Sequence, residues 1–335
     1  MKAIYCLLFL FLLASCRELP DPQAAPRNPV GVFDELWQEF RELYGPFEDR
    51  GIDWSALRTR YRSQLTDQST ETDVFRVCTA LLSELNDGHV NLVAPGREGF
   101  NANRTFRQKI DNDLFSLPLV ISRYLEPGFT IGPDSAYVYG TVAGGLAYLY
   151  LKDIGPETAI LDKVLDQYAD AKGLIIDLRH NGGGDFTYAY ENLVRLTDRR
   201  RLVFSSATRN GPDPNDFTRW YDWYLEAGGT FYDKKLLVLV DRYCVSAGER
   251  TAMALKVLPQ ATLIGDSTNG ALSTQLGREL SNGWYFTVAT QKTRFADGRS
   301  YEGIGVIPSV LIKNNRANMA KGIDDTLEKA RSLVR

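Results

Sequence analysis

Strand–helix alternation in the C-terminal half of the chain, behind a set of amphipathic helices, predicts an α/β protein with a largely parallel sheet and a small N-terminal helical domain. Apolar runs at Leu146–Leu151, Gly173–Leu178, Leu236–Val240 and Ala261–Ile264 read as buried strands. Helical patterns fall between or after them at Ala159–Tyr168, Phe186–Leu196 and Ala247–Val257. Composition agrees with a globular protein: 335 residues suit about two domains, and 44% hydrophobic with 24% charged residues exclude disordered, collagen-like and coiled-coil chains. Thirty-nine Lys+Arg against 42 Asp+Glu give a net charge of −3, so no basic excess points to nucleic acid. Two histidines and no CxxC or HExxH leave a zinc site short of ligands, and no metal or other cofactor is expected. Four cysteines are too few for a disulfide-built scaffold of this size.

Taken in chain order, Met1-Lys2 precedes an apolar run from Ala3 to Ala14, too short for a spanning helix but suited to a signal peptide over residues 1–15. The run ends Leu13-Ala14-Ser15-Cys16, which resembles a bacterial lipobox with Cys16 as the lipidated residue. Residues 16–29, with Pro20, Pro22 and Pro26, read as a stiff tether from that lipid anchor. These features predict a membrane-anchored lipoprotein of the cell envelope, on the periplasmic or cell-surface side. A helical domain follows over residues 30–91. Val32, Phe33, Leu36, Trp37, Phe40, Leu43 and Tyr44 form one helix ending at Gly45-Pro46, and Asp53 caps a second carrying Trp54, Leu57, Tyr61 and Leu65. Thr70 with Asp73 resembles a capping box ahead of the stripe Val74, Val77, Cys78, Leu81, Leu82 and Leu85. Residues 92–144 read as a connecting region with few short strands. Residues 145–335 form the α/β domain, closed by a helix over Asp324–Val334. Cys78 and Cys244 lie in apolar runs as buried thiols, with a disulfide between them left open.

Loops beyond the carboxyl ends of parallel strands are where open α/β sheets bind ligands. One strand runs through Asp177-Leu178-Arg179-His180-Asn181 into Gly182-Gly183-Gly184, whose backbone N–H groups can converge on an anion. Neither a P-loop nor a dinucleotide fingerprint is present there. Another strand leads through Asp241 to Val245-Ser246-Ala247-Gly248-Glu249, where Ser246 is either an exposed hydroxyl at a helix N-terminus or a plain N-cap. A serine nucleophile needs a base held by a carboxylate. His89, in Asp87-Gly88-His89, and Glu302, in Tyr301-Glu302-Gly303-Ile304-Gly305, are candidates.

Together these segments, with the Gly265-Asp266-Ser267-Thr268-Asn269-Gly270-Ala271 loop, resemble the tail-specific (C-terminal processing) serine peptidases, in the branch similar to tricorn core protease. The resemblance covers nearly the whole chain after the tether, from Phe33-Asp34-Glu35-Leu36-Trp37 to the final helix. It implies a ClpP/crotonase-like catalytic domain, with Ser246 as nucleophile, His89 as general base and Glu302 as the carboxylate orienting it. It implies an oxyanion hole from the Ala247 N–H and the glycine loop, with Gly183 the better donor and Gly182 shaping the loop. Ser267 stands where a lysine-dyad branch carries its lysine, and Lys256 does not match it. Gly88 stands where tricorn-like members can carry an assisting serine. No PDZ insertion is recognisable in residues 91–144.

The implied activity is hydrolysis of extracytoplasmic polypeptides or peptides through a Ser246 acyl-enzyme. The alternatives are a ligand-binding or idle member of the fold, as in the retinoid-binding repeats of the visual cycle, and a non-peptide acyl hydrolase. The helix ending before His89 is expected to favour the protonated ring. His180 reads as a rim or substrate-side residue, and Asp177 and Arg179 as shaping the strand end. The aromatic stretch Thr208–Tyr232 reads as groove wall, buried packing or subunit contact.

Overall fold

The computed structural model describes residues 28–334. The expected signal peptide, Cys16 and nearly all of the tether lie outside the described residues.

Three capped helices lead the described chain. In α1 (Pro29–Leu43) the Asn28 side chain accepts the Gly31 N–H and a proline fills the first turn, where its missing donor costs nothing. Asp53 caps α2 (Trp54–Arg62) by accepting the Ala56 N–H, and Thr70 with Asp73 forms the capping box of α3 (Glu71–Ser83). The helices bury Phe33, Leu36, Phe40, Val77, Leu81 and Leu82. Trp37 and Trp54 exchange hydrogen bonds, each indole N–H donating 3.0 Å to the other's carbonyl, so neither polar atom is stranded in the core.

These helices do not close their core alone. A four-stranded antiparallel sheet lies under them in the order Gln275–Glu279, Tyr285–Ala289, Asn91–Val93, Phe100–Asn101. Its inner face contributes Leu92, Phe286 and Val288 to the helical core, with Phe286 packed 5.6 Å from Phe40. Residues assigned from the sequence to the C-terminal domain thus complete the N-terminal core.

The central sheet has seven strands whose spatial order follows the chain: β1 (Thr130–Ile131), β2 (Tyr137–Val142), β3 (Leu146–Leu151), β4 (Gly173–Asp177), β5 (Lys235–Val240), β6 (Ala261–Gly265) and β7 (Val310–Leu311). Strands β3 to β7 pair in parallel, while β1 and β2 are antiparallel additions at one edge. Fully buried β3 and β4 read as continuous apolar runs, as strands covered on both faces must. Helices α4 (Ile160–Gln167), α5 (Phe186–Asn192), α6 (Ala247–Lys256) and α7 (Asp325–Ser332) connect or follow these strands. A third sheet, Gln291–Phe295 with Arg201–Thr208 and Tyr221–Leu225, is antiparallel. The chain is therefore an α/β protein with an N-terminal helical region.

Beyond β4, Arg179 is fully enclosed. Its guanidinium binds Asp177 at 2.6 Å and both oxygens of Asp324 at 2.8 Å, and Asp324 also caps α7. The Tyr148 hydroxyl donates to Asp177. One cation thus pins the final helix to the strand end that feeds the glycine loop. Arg179→Met leaves two buried carboxylates uncompensated and is expected to cost about 3–5 kcal/mol, read as a lower denaturant midpoint in equilibrium unfolding.

Candidate active site

The candidate site forms at the carboxyl ends of β4, β5 and β6. After β5, Asp241 accepts the N–H groups of Tyr243 and Cys244 and also that of His180, which follows β4. The turn delivers Ser246 with φ 58° and ψ −120°, a left-handed conformation that costs a non-glycine residue on the order of 1–3 kcal/mol. Ser246 stands at the N-cap position of α6, with no capping hydrogen bond from its own side chain. Its backbone N–H instead donates to Glu249 Oε2 at 3.1 Å.

Gly183 lies directly against the serine. A Cβ there would fall 2.8 Å from Ser246 Cβ and 3.4 Å from its Oγ, and φ is +90°, so glycine is required on both counts. The Gly183 N–H donates to Asn181 Oδ1 at 3.0 Å, and the Gly182 N–H to Lys152 O at 2.9 Å. Both amides expected to shape or line an oxyanion hole are thus already engaged. The Ala247 and Gly184 N–H groups have no acceptor among the described residues.

His89 is buried. Its N–H donates to Asp87 Oδ1 at 2.8 Å, and its carbonyl accepts from Thr287 Oγ1 and Gln275 Nε2. These two belong to a polar ladder, Asn101–Asn91–Thr287–Gln275, that crosses the four-stranded sheet and also holds the Gly88 carbonyl. The imidazole Nδ1 is buried without a partner among the described residues. Burial pushes the ring's pKa down to about 4, with Asp87 opposing and Arg250 and Arg50 adding to the fall. The expected helix-end effect is overridden: α3 stops six residues earlier, and desolvation dominates.

Glu302 does not touch His89. Its Oε1 accepts from Arg50 Nη2 at 2.8 Å and its Oε2 from the Leu272 N–H at 3.1 Å. Burial pushes this carboxyl up to about 8, with Arg50 opposing only in part. No hydrogen bond joins the Ser246 hydroxyl to the imidazole.

The loop 268–272 is what these groups share. Glu249 accepts the Thr268 hydroxyl and the Gly270 and Ala271 N–H groups on the same carboxylate that holds Ser246. Leu272 holds Glu302. Gly88 packs against the loop from the other side: a Cβ there would lie 3.0 Å from Asn269 Oδ1 and 3.3 Å from Ala271 Cβ. An assisting serine at this position would meet those atoms.

Several other residues are now placed. His180, at φ 56°, packs between Phe115 and Tyr243 with Nε2 3.4 Å from Asp241 Oδ2, and so braces two loops. Lys256 donates to the Ile307 carbonyl. Cys78 and Cys244 are free, buried thiols. Trp223 packs 4.9 Å from Phe186, which follows the glycine loop, while Trp220, Tyr221 and Phe231 stay exposed. Among the described residues, no group of three or more His, Cys, Asp or Glu could hold a metal ion. Sequence reasoning assigned no role to Arg50, Asp87, Tyr44, Glu249 or Asp241. Asp87 and Glu249 lie inside the recognised motifs, which was the available signal. Arg50 lies in an unpatterned stretch, and Tyr44 reads only as part of the first helix's apolar stripe.

Comparison with known proteins places the chain among peptidase relatives. A Carboxy-terminal-processing protease of Bartonella bacilliformis is 30% identical over 156 residues, covering 47% of this chain and 34% of its own. A Tricorn protease of Thermoplasma volcanium is 24% identical over 217 residues, covering 63% of this chain and 19% of its own. The chain thus spans about a third or less of the length of these relatives. The crystal structure of a candidate peptidase from Parabacteroides merdae superposes with a TM-score of 0.82 at 25% identity, covering 92% of this chain and 97% of that one. The Tricorn protease C1 domain matches residues 26–83. Because Peptidase family S41 matches residues 145–312, half of the chain and all of the loops that converge on Ser246, the protein belongs to peptidase family S41.

Proposed function

We propose that the chain is a serine-type peptidase that cleaves polypeptides outside the cytoplasm, anchored to a membrane through lipidated Cys16. The observation that supports it is the convergence of the Ser246 turn (through Glu249), the Gly88–His89 segment and Glu302 on the single loop 268–272, with Gly183 packed against Ser246. Membership of family S41 and similarity to C-terminal processing proteases support the same reading.

In this mechanism the Ser246 hydroxyl attacks the scissile carbonyl and its proton passes to neutral His89. The carbonyl oxygen, now anionic, is received by the Ala247 N–H at the positive end of α6 and by the glycine loop, whose amides at 182 and 183 turn from their present acceptors or leave the task to Gly184. Protonated His89 then gives its proton to the departing amine. Water repeats the sequence to free the acid and restore Ser246. Glu302 is held beside Arg50 rather than hydrogen-bonded to the ring, and the charge that opposes the fall of the imidazole pKa is that of Asp87.

Ser246→Ala is expected to lower cleavage of unfolded, dye-labelled casein by at least about a thousandfold and to abolish fluorophosphonate labelling, without loss of the folded circular dichroism spectrum. Wild-type protein that neither cleaves nor labels would identify a carrier; labelling with turnover of small esters but not of casein would identify another acyl hydrolase. Because the pKa of His89 is lowered, the base form required for catalysis is present through the whole neutral range. Imidazole NMR is therefore expected to show His89 neutral at pH 6 and titrating near pH 4; a midpoint near the ordinary 6.5 contradicts the buried placement. With only two histidines, His180→Gln assigns the signals. In a bacterial host, Cys16→Ser is expected to move the protein from the detergent-extracted membrane fraction to the soluble one; an unchanged distribution contradicts lipid anchoring.

A further inference from the structure

Arg50 lies in the turn between α1 and α2, far in sequence from every group it binds on the catalytic side. Its side chain is 5% exposed, against 0% for both carboxylates it faces, Asp87 and Glu302. Nη1 donates to the carbonyls of Leu85 and Asn86, at 3.2 and 3.0 Å, in the segment that leads to His89. Nη2 donates to the Gly270 carbonyl at 2.6 Å and to Glu302 Oε1 at 2.8 Å, and lies 3.5 Å from Asp87 Oδ2. Asp87 in turn holds the His89 N–H and accepts the Tyr44 hydroxyl. One guanidinium therefore touches the base-bearing segment, the loop shared with the nucleophile, and the carboxylate. Only a planar group with several fixed donors can make these bonds at once; an ammonium cannot span them.

We infer that Arg50 is a positioning residue for the peptidase reaction: the helical region uses it to lock the His89 segment onto loop 268–272 and to fix Glu302. This rests on the peptidase reading above. The groups facing Glu302 are Arg50, Asp87, Glu249, Tyr44 and Arg250. Asp87 and Glu249 favour its protonation, and burial does so more strongly; Arg50 is the cation that opposes both at contact distance. Its removal makes the carboxyl harder to ionise, so Glu302 loses its charge at a higher pH and activity on the acid side fails earlier.

The test is the rate of fluorophosphonate labelling at Ser246 from pH 5 to 9, for wild type, Arg50→Met and Arg50→Lys, each with a thermal melt. Arg50→Met is expected to label about a hundredfold more slowly at pH 7, with its acid limb moved to higher pH. Arg50→Lys keeps the charge but not the span, and is expected to restore the position of the limb while remaining slower than wild type. Folded Arg50→Met with wild-type rate and profile overturns the inference. If Arg50→Met does not fold, Arg50→Lys with wild-type rate and profile overturns it. Wild-type protein that does not label at all defeats the peptidase reading instead, and this inference with it.

Discussion

At the carboxyl edge of the central sheet, Glu249 gathers the backbone N–H groups of Ser246, Gly270 and Ala271 and the hydroxyl of Thr268 on its two oxygens. The constraint behind this is general. Loops leaving parallel strands carry amides that no neighbouring strand can satisfy, and a buried unsatisfied amide costs more than most contacts return. A buried carboxylate with four donors answers both problems, because the donors compensate the charge and the charge fixes the donors. Asp241 does the same for His180, ahead of the glycine loop, and for the turn leading to Ser246, and Asp87 for the segment bearing His89. The strained backbone at Ser246 can persist only because its surroundings are pinned in this way.

The same logic separates the roles of the two acidic residues nearest the site. Glu249 is satisfied entirely by backbone and hydroxyl donors, so it needs no cation. Glu302 receives a single amide, and its second oxygen depends on Arg50. A carboxylate that is half satisfied by the catalytic side and half by the helical region can register whether the two are correctly joined. The orphaned Nδ1 of His89 lies in the same buried neighbourhood, held by its backbone rather than by its ring.

Much of the architecture was legible in the sequence because it follows local rules. The parallel strands are apolar runs, α1 to α3 carry their caps, and β4 and β5 both end in loops rich in glycine or small residues. What escaped reading depends on distant partners. The strands at 91–93, 100–101 and 130–131 are two or three residues long, too short to show a period. Within Tyr137–Val142, Gly140 interrupts the pattern because Phe129 packs where a Cβ would stand. The motifs singled out Ser246, His89 and Glu302 as candidates, but they could not show that Glu302 turns to Arg50, 252 residues away, nor that the Gly183 amide is held by its own neighbour Asn181.

The strand Tyr285–Ala289, which roofs the N-terminal helices, also governs when the molecule can be completed. Asn91 and Thr287, paired across that sheet, are 196 residues apart. As the chain emerges from the ribosome, α1 to α3 therefore wait with Phe40 and its neighbours uncovered until most of the protein has been made. The His89 carbonyl, which accepts from Gln275 and Thr287, cannot be seated before then.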